Sequence, residues 1–258
     1  PGSFVFTFVG NIDEEAIKPV VEQYLASLPG QNKTTKYKEI PMNFNTGKIE
    51  NIFQRKMQNP KASVFIASSG NIEYTQKNRM LMSMFDQVLR IVYTEKVRED
   101  EGGTYGVSTQ GQISRYPNGQ TILQIIYDTD PEKAESLNEI IHRELKAIAD
   151  EGPRDEDFNK VKEYMLKQYN ENLKENSYWM NILSTKHFYG EDNYSSYLDT
   201  LNSITASDIK QFAKDFLSQL VAPHVLDRLA ERFNDHALPS LPGSSGSSVG
   251  WTMASGAW

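Results

Sequence analysis

The chain has 258 residues, 38% hydrophobic, 11% aromatic and 24% charged, with a formal net charge of −7; this is enough chain to bury a sizeable core, in a globular composition somewhat short of apolar residues. The acidic balance excludes a general nucleic-acid binder, which needs a basic face. The absence of cysteine excludes disulfides, thiolate nucleophiles and cysteine-based zinc or iron–sulfur sites.

In chain order, "FVFTFV" (4–9) is a short apolar run of the kind that forms a buried strand. The sequence begins abruptly, inside that strand, and reads as an excised piece that shows no signal peptide. Asp13 is a suitable N-cap for a helix running to Ser27. Its face is Ile17, Val20, Val21, Tyr24, Leu25 and Leu28, and Pro29-Gly30 ends it. Residues 31–47 are polar and broken by Pro41, Asn45 and Gly47, as in a linker. "KIENIFQRKM" and "ASVFIASSG" then read as a strand pair joined by the turn signal "QNPK".

From Glu73 to about Val97, Leu81, Met84, Phe85, Val88, Leu89 and Val92 recur at helical spacing. "YGVSTQGQISRY" and "QTILQIIYDT" form two further strands around "PNGQ", whose Asn-Gly favours a tight hairpin. Asp130-Pro131 opens a helix faced by Leu137, Ile141, Leu145 and Ile148, and Gly152-Pro153 stops it. Helices follow at 155–175, 178–189 and 194–201. The last begins at Thr205-Ala-Ser-Asp208, which has capping-box spacing with Asp in place of Glu. Antiparallel strand pairs alternating with helix clusters predict an α+β fold, mainly an antiparallel sheet with helices packed on one face. An amphipathic stretch at 222–233 precedes a Gly/Ser run, and residues 239–258 read as flexible or as an extension foreign to the natural protein. No apolar run approaches the roughly 20 residues that span a bilayer.

Few residue patterns carry chemistry. None of His142, His187, His224 and His236 falls in a His-x-x-Glu-His or His-Glu-x-x-His arrangement, so no metal site is assigned. There is no Gly-x-Ser-x-Gly elbow, and no glycine loop matches a phosphate-binding fingerprint. The carboxylates at 99–101 and 155–157 read as solvated helix ends. What remains is "KVREDEGGTYGVSTQG" (96–111), where Arg98 closes a helix and Tyr105 opens a strand across a glycine pair. If the chain folds back there, a guanidinium and a phenol converge as two donors on one carbonyl oxygen or developing oxyanion. The plainer reading has Arg98 capping its own helix and Tyr105 packing as a strand aromatic. Spacing alone leaves both open.

"VREDEGGTYGVS", together with "FVFTFVGNIDEEAIKPVVEQYLASLPG" before it and "KVKEYMLKQYNENLKENSYWMNIL" after it, resembles the C-terminal half of an insulinase/pitrilysin-type (M16) zinc metallopeptidase. The likeness runs from residue 4 to about 218 and is nearest to bacterial members with two halves in one chain. It implies two halves closing around a peptide. The N-terminal half binds zinc, while the C-terminal half lacks zinc and supplies an Arg and a Tyr that hold the substrate backbone. In this chain those positions match Arg98 and Tyr105, which the resemblance makes substrate-binding rather than catalytic.

On that reading, residues 1–30 hold the closing strand and helix of a preceding domain and 31–47 are the linker. Residues 48–218 are the C-terminal α/β domain without its last strand, and 219–258 are a non-family tail. The sheet then either ends in an exposed edge or, as favoured here, has that edge filled by "FVFTFV", from this chain or from a partner molecule. This chain holds no cofactor of its own, zinc belonging to the missing half, and is itself inactive. Its partners are that N-terminal half and a peptide, with no nucleic acid and no membrane span. The compartment implied is a bacterial periplasm or cell envelope, with the cytoplasm as the alternative. An inactive M16-like scaffold that binds peptides or proteins without cleavage is the other function left open.

Overall fold

Alternation of buried and exposed residues governs the sheet. The computed structural model describes residues 4–30, 38, 49–56, 58–100, 104–116, 119–219 and 248–256, with backbone alone at 50, 54–56, 98–100, 104–105 and 248–256. Its strands are β1 (Ile49–Lys56), β2 (Ala62–Asn71), β3 (Thr104–Ile113), β4 (Gln120–Thr129) and β5 (Ser248–Gly256), in the order β1-β5-β2-β4-β3. Along β4 the odd-numbered residues from Thr121 to Thr129 are buried, while Ile126 on the opposite face is 43% exposed. The register Val64↔Tyr127 and Ile66↔Ile125 puts the buried residues of β2 on the same face. Period-two alternation of this kind marks a sheet covered on one side.

That side is covered by α2 (Gln76–Tyr93), α3 (Ala134–Glu151) and α7 (Ala206–Gln219). Phe85, Val88 and Leu89 of α2, Ile141 and Leu145 of α3 and Phe216 of α7 are fully buried, as the helical spacing predicts. Caps read from sequence also hold. Thr205 accepts from the Asp208 N–H at 3.2 Å while the Asp208 carboxylate accepts from the Thr205 N–H at 2.9 Å, a reciprocal capping box. Asp13 accepts from the N–H groups of Glu15 and Ala16 to start α1 (Glu14–Val21). α1 continues as a π-helical turn, Glu22–Ala26.

The β3–β4 hairpin closes with Gly119 at φ +73°, the left-handed region that favours glycine. A Cβ there would lie 2.5 Å from both the Ile72 carbonyl oxygen and Asn71 Oδ1. Gly119→Ala should therefore cost about 1–3 kcal/mol, read as a lowered urea midpoint with an unchanged m-value. A wild-type midpoint would show that the turn has another conformation open to it.

Three expectations are corrected. β1 and β2 do not form a hairpin, because β5 lies between them, antiparallel to β1 (Phe53↔Trp251) and parallel to β2 (Ser63↔Trp251). Residues 248–256 are thus a strand and not a flexible tail, so the sheet receives a strand after α7. "FVFTFV" forms no strand in this chain, and Phe4, Phe6 and Phe8 are 68%, 48% and 47% exposed. An apolar run becomes a buried strand only where it pairs with another, and the place beside β2 is taken by β5. The filling of a vacant edge by residues 4–9 of the same chain is overturned. The linker at 31–47, apart from Lys38, and the stretch at 222–233 lie outside the described residues.

Contacts divide the chain into two units, residues 1–40 with 163–202 and residues 41–162 with 203–258. The second holds the sheet and its helices. In the first, α5 (Asn176–Tyr189) buries no residue fully. An aromatic cluster links its Tyr178 and Trp179 to Tyr169 of α4 (Asp155–Asn172) and to Tyr194, and Tyr169 stacks on Tyr197 of α6 (Tyr197–Ser203) at 4.7 Å. Among the described residues no helix is long and apolar enough to cross a membrane.

Candidate functional site

One open cleft is lined by the residue that follows Tyr105 in the chain and by a residue four positions before Arg98. α2 passes at Thr94 into a π-helical segment, Thr94–Asp100, which carries Arg98. β3 begins at Thr104, and its pairing with β4 is irregular between Thr104 and Val107, the interval that contains Tyr105. The side chains of Arg98 and Tyr105 lie outside the described residues. The cleft, about 590 Å³, is walled by Arg90 and Thr94 and by residues 106–108 of β3 and 126–128 of β4. Its lining therefore adjoins Tyr105 through Gly106 and begins four residues before Arg98 at Thr94. A Cβ at Gly106 would meet nothing within 4 Å, so the wall is open at that point.

Charge in the cleft is fixed at both ends. Arg90 donates from Nη2 to the Thr109 carbonyl oxygen at 2.6 Å and from Nε to Thr109 Oγ1 at 3.2 Å. Its Nη2 also pairs with Asp86 Oδ2 at 2.9 Å, Asp86 being nine-tenths buried. Opposite, the Asp128 carboxylate pairs with Lys61 at 2.8 Å and accepts from the Ser63 hydroxyl; the lysine, then the serine, hold its carboxyl below the usual range. Tyr127 is buried, with its hydroxyl on the Ala134 carbonyl oxygen at 3.2 Å, and burial pushes the phenol up. Tyr93 is likewise buried, donates to the Ile141 carbonyl oxygen at 3.1 Å, and has its phenol raised by burial and by Glu144. Both buried phenols are thus committed to backbone carbonyls, while Asp86 and Asp128 are ion-paired with Arg90 and Lys61.

Sequence reasoning missed a second set of charges. Asp157, read as part of a solvated helix end, is 1% exposed and accepts from Arg154 Nε at 2.6 Å. Arg154 also grips Glu95 with both terminal nitrogens, at 3.1 and 2.5 Å. The Arg154 contact, ahead of Lys96, lowers the Glu95 carboxyl to about 2. The stabilisation is thus complete above the ordinary glutamate range and is lost as pH falls toward that value. Arg154 and Glu95 are 59 positions apart, a spacing that no local motif reports. Of the acidic run 99–101, no side chain lies within the described residues. Among the described residues no group of three or more His, Cys, Asp or Glu could hold a metal ion.

A family profile described as the peptidase M16 inactive domain matches residues 1–165. The chain belongs to the M16 inactive-domain family. M16 relatives agree with that placement. A zinc protease PQQL-like protein of Arabidopsis thaliana is 20% identical over 195 residues, covering 70% of this chain and 20% of its own length. The periplasmic protease PqqL of Escherichia coli superposes with a TM-score of 0.61 at 13% identity, over 95% of this chain and 24% of that one. An M16 inactive domain from Pseudomonas fluorescens gives a TM-score of 0.52 at 15% identity, over 95% of this chain and 52% of that one. At these identities the superpositions show a shared α+β fold. This M16 domain spans about a fifth of the Arabidopsis protein and a quarter of PqqL.

Proposed function

We propose that this M16 domain is the substrate-holding, non-hydrolytic part of a zinc metalloendopeptidase, in which Arg98 and Tyr105 hold the backbone of an extended peptide. The observation that supports the reading is the match of an inactive-domain profile over residues 1–165, on a chain in which Gly106, next to Tyr105, and Thr94, four residues before Arg98, line one open cleft. A guanidinium and a phenol acting together suit a peptide carbonyl, which offers two lone pairs and no proton. The zinc ligands belong to an N-terminal half outside this chain. What these residues do is bind and orient.

The reading is tested by assaying the purified chain with added zinc against an internally quenched unfolded peptide, alone and mixed with the zinc-carrying half. No turnover is expected from the chain alone, and turnover is expected from the mixture. Hydrolysis by the chain alone would overturn the assignment. A mixture that binds the peptide without cutting it would favour an M16-like scaffold that binds peptides only.

A further inference from the structure

We propose that Arg154, Glu95 and Asp157 form a positioning network that holds the π-helical turn carrying Arg98; this rests on the substrate-holding reading above. The π-helical register of Thr94–Asp100 is intrinsically rare. Two things impose it here. Val97 is fully buried and plugs the segment into the core. On the other side Glu95 lies in the two-pronged grip of Arg154, a geometry that fixes orientation as well as distance.

The grip is itself anchored. Arg154 Nε is held by Asp157, whose carboxylate is withdrawn from solvent and is costly to leave unpaired. The Arg154 carbonyl oxygen accepts the Phe158 N–H at 3.0 Å, which ties the arginine backbone to the first turn of α4. The helix start at 155 thus holds the segment that carries Arg98, three residues beyond Glu95. If the segment relaxed to an α-helix, Arg98 would turn by roughly 50° relative to Glu95. A donor displaced even 1 Å from its acceptor loses much of its effect on a transition state.

The experiment is a double-mutant cycle in the complete protein, with an internally quenched peptide as substrate and amide exchange of residues 94–100 followed alongside. Glu95→Gln is expected to lower kcat about 10-fold with KM within about 2-fold. Exchange across 94–100 should become about 10-fold faster. The same substitution added to Arg98→Ala should cost no more than about 2-fold, because the residue being positioned is already gone. Should Glu95→Gln fail to fold, Glu95→Asp keeps the charge one methylene short of Arg154 and is expected to give a smaller loss with the same coupling. Wild-type kinetics and exchange for Glu95→Gln, or a full 10-fold loss on top of Arg98→Ala, would overturn the proposal. If Arg98→Ala alone is without effect, the substrate-holding reading fails instead. Exchange at 94–100 then decides whether Glu95 clamps the segment.

Discussion

Replacing Arg98 by alanine in the complete protein is expected, on the substrate-holding reading, to lower kcat/KM for an unfolded peptide by roughly 10²–10³, the loss seen when one positioned donor to a developing oxyanion is removed. Tyr105→Phe keeps the ring and deletes one O–H, so a loss of about 10² is expected. Both losses should fall mainly on kcat, because the donors serve the transition state more than the ground state. Arg98→Lys should recover little, since an ammonium is a point charge without the planar fork. Steady-state kinetics on an unfolded peptide read the effect directly. Wild-type kcat/KM for Arg98→Ala and Tyr105→Phe would leave the cleft without a role in peptide turnover.

The second large effect concerns the packing beneath that cleft. Phe85 is fully buried and meets Phe212 edge to face, with ring centroids 6.1 Å apart at 66°. It belongs to α2, whose continuation carries the π-helical segment. Phe85→Ala should destabilise the sheet-bearing unit by about 3–5 kcal/mol through lost transfer energy, a residual cavity and the missing ring pair. Urea unfolding followed by far-ultraviolet circular dichroism measures it. Phe85→Leu, which refills part of the space, should cost clearly less. A loss below about 1 kcal/mol for the alanine variant would mean that the site collapses around the gap, contrary to native packing density.

Features governed by near neighbours were legible in the sequence. Leu81, Met84, Phe85, Val88 and Leu89 declared the buried face of α2 by spacing, and Thr205 with Asp208 declared a helix start. The Asn118-Gly119 signal declared the β3–β4 hairpin, now closed by Gly119 at φ +73°. Arg98 and Tyr105 were singled out by their spacing, but their substrate-binding role came from the family resemblance, since spacing left the plainer reading open. The Glu95–Arg154–Asp157 set was not legible, because its partners meet through the packing of separate segments.

By itself the sequence determined the α+β class and most helix faces, because each depends on interactions within a few positions along the chain. Only the tertiary structure decided that β5 sits between β1 and β2, that Phe4, Phe6 and Phe8 stay exposed, and that Asp157 is buried beside Arg154. Strand order and charge burial depend on which distant segments compete for the same neighbour, and hydrophobic pattern reports how much a segment gains from burial without naming its partner.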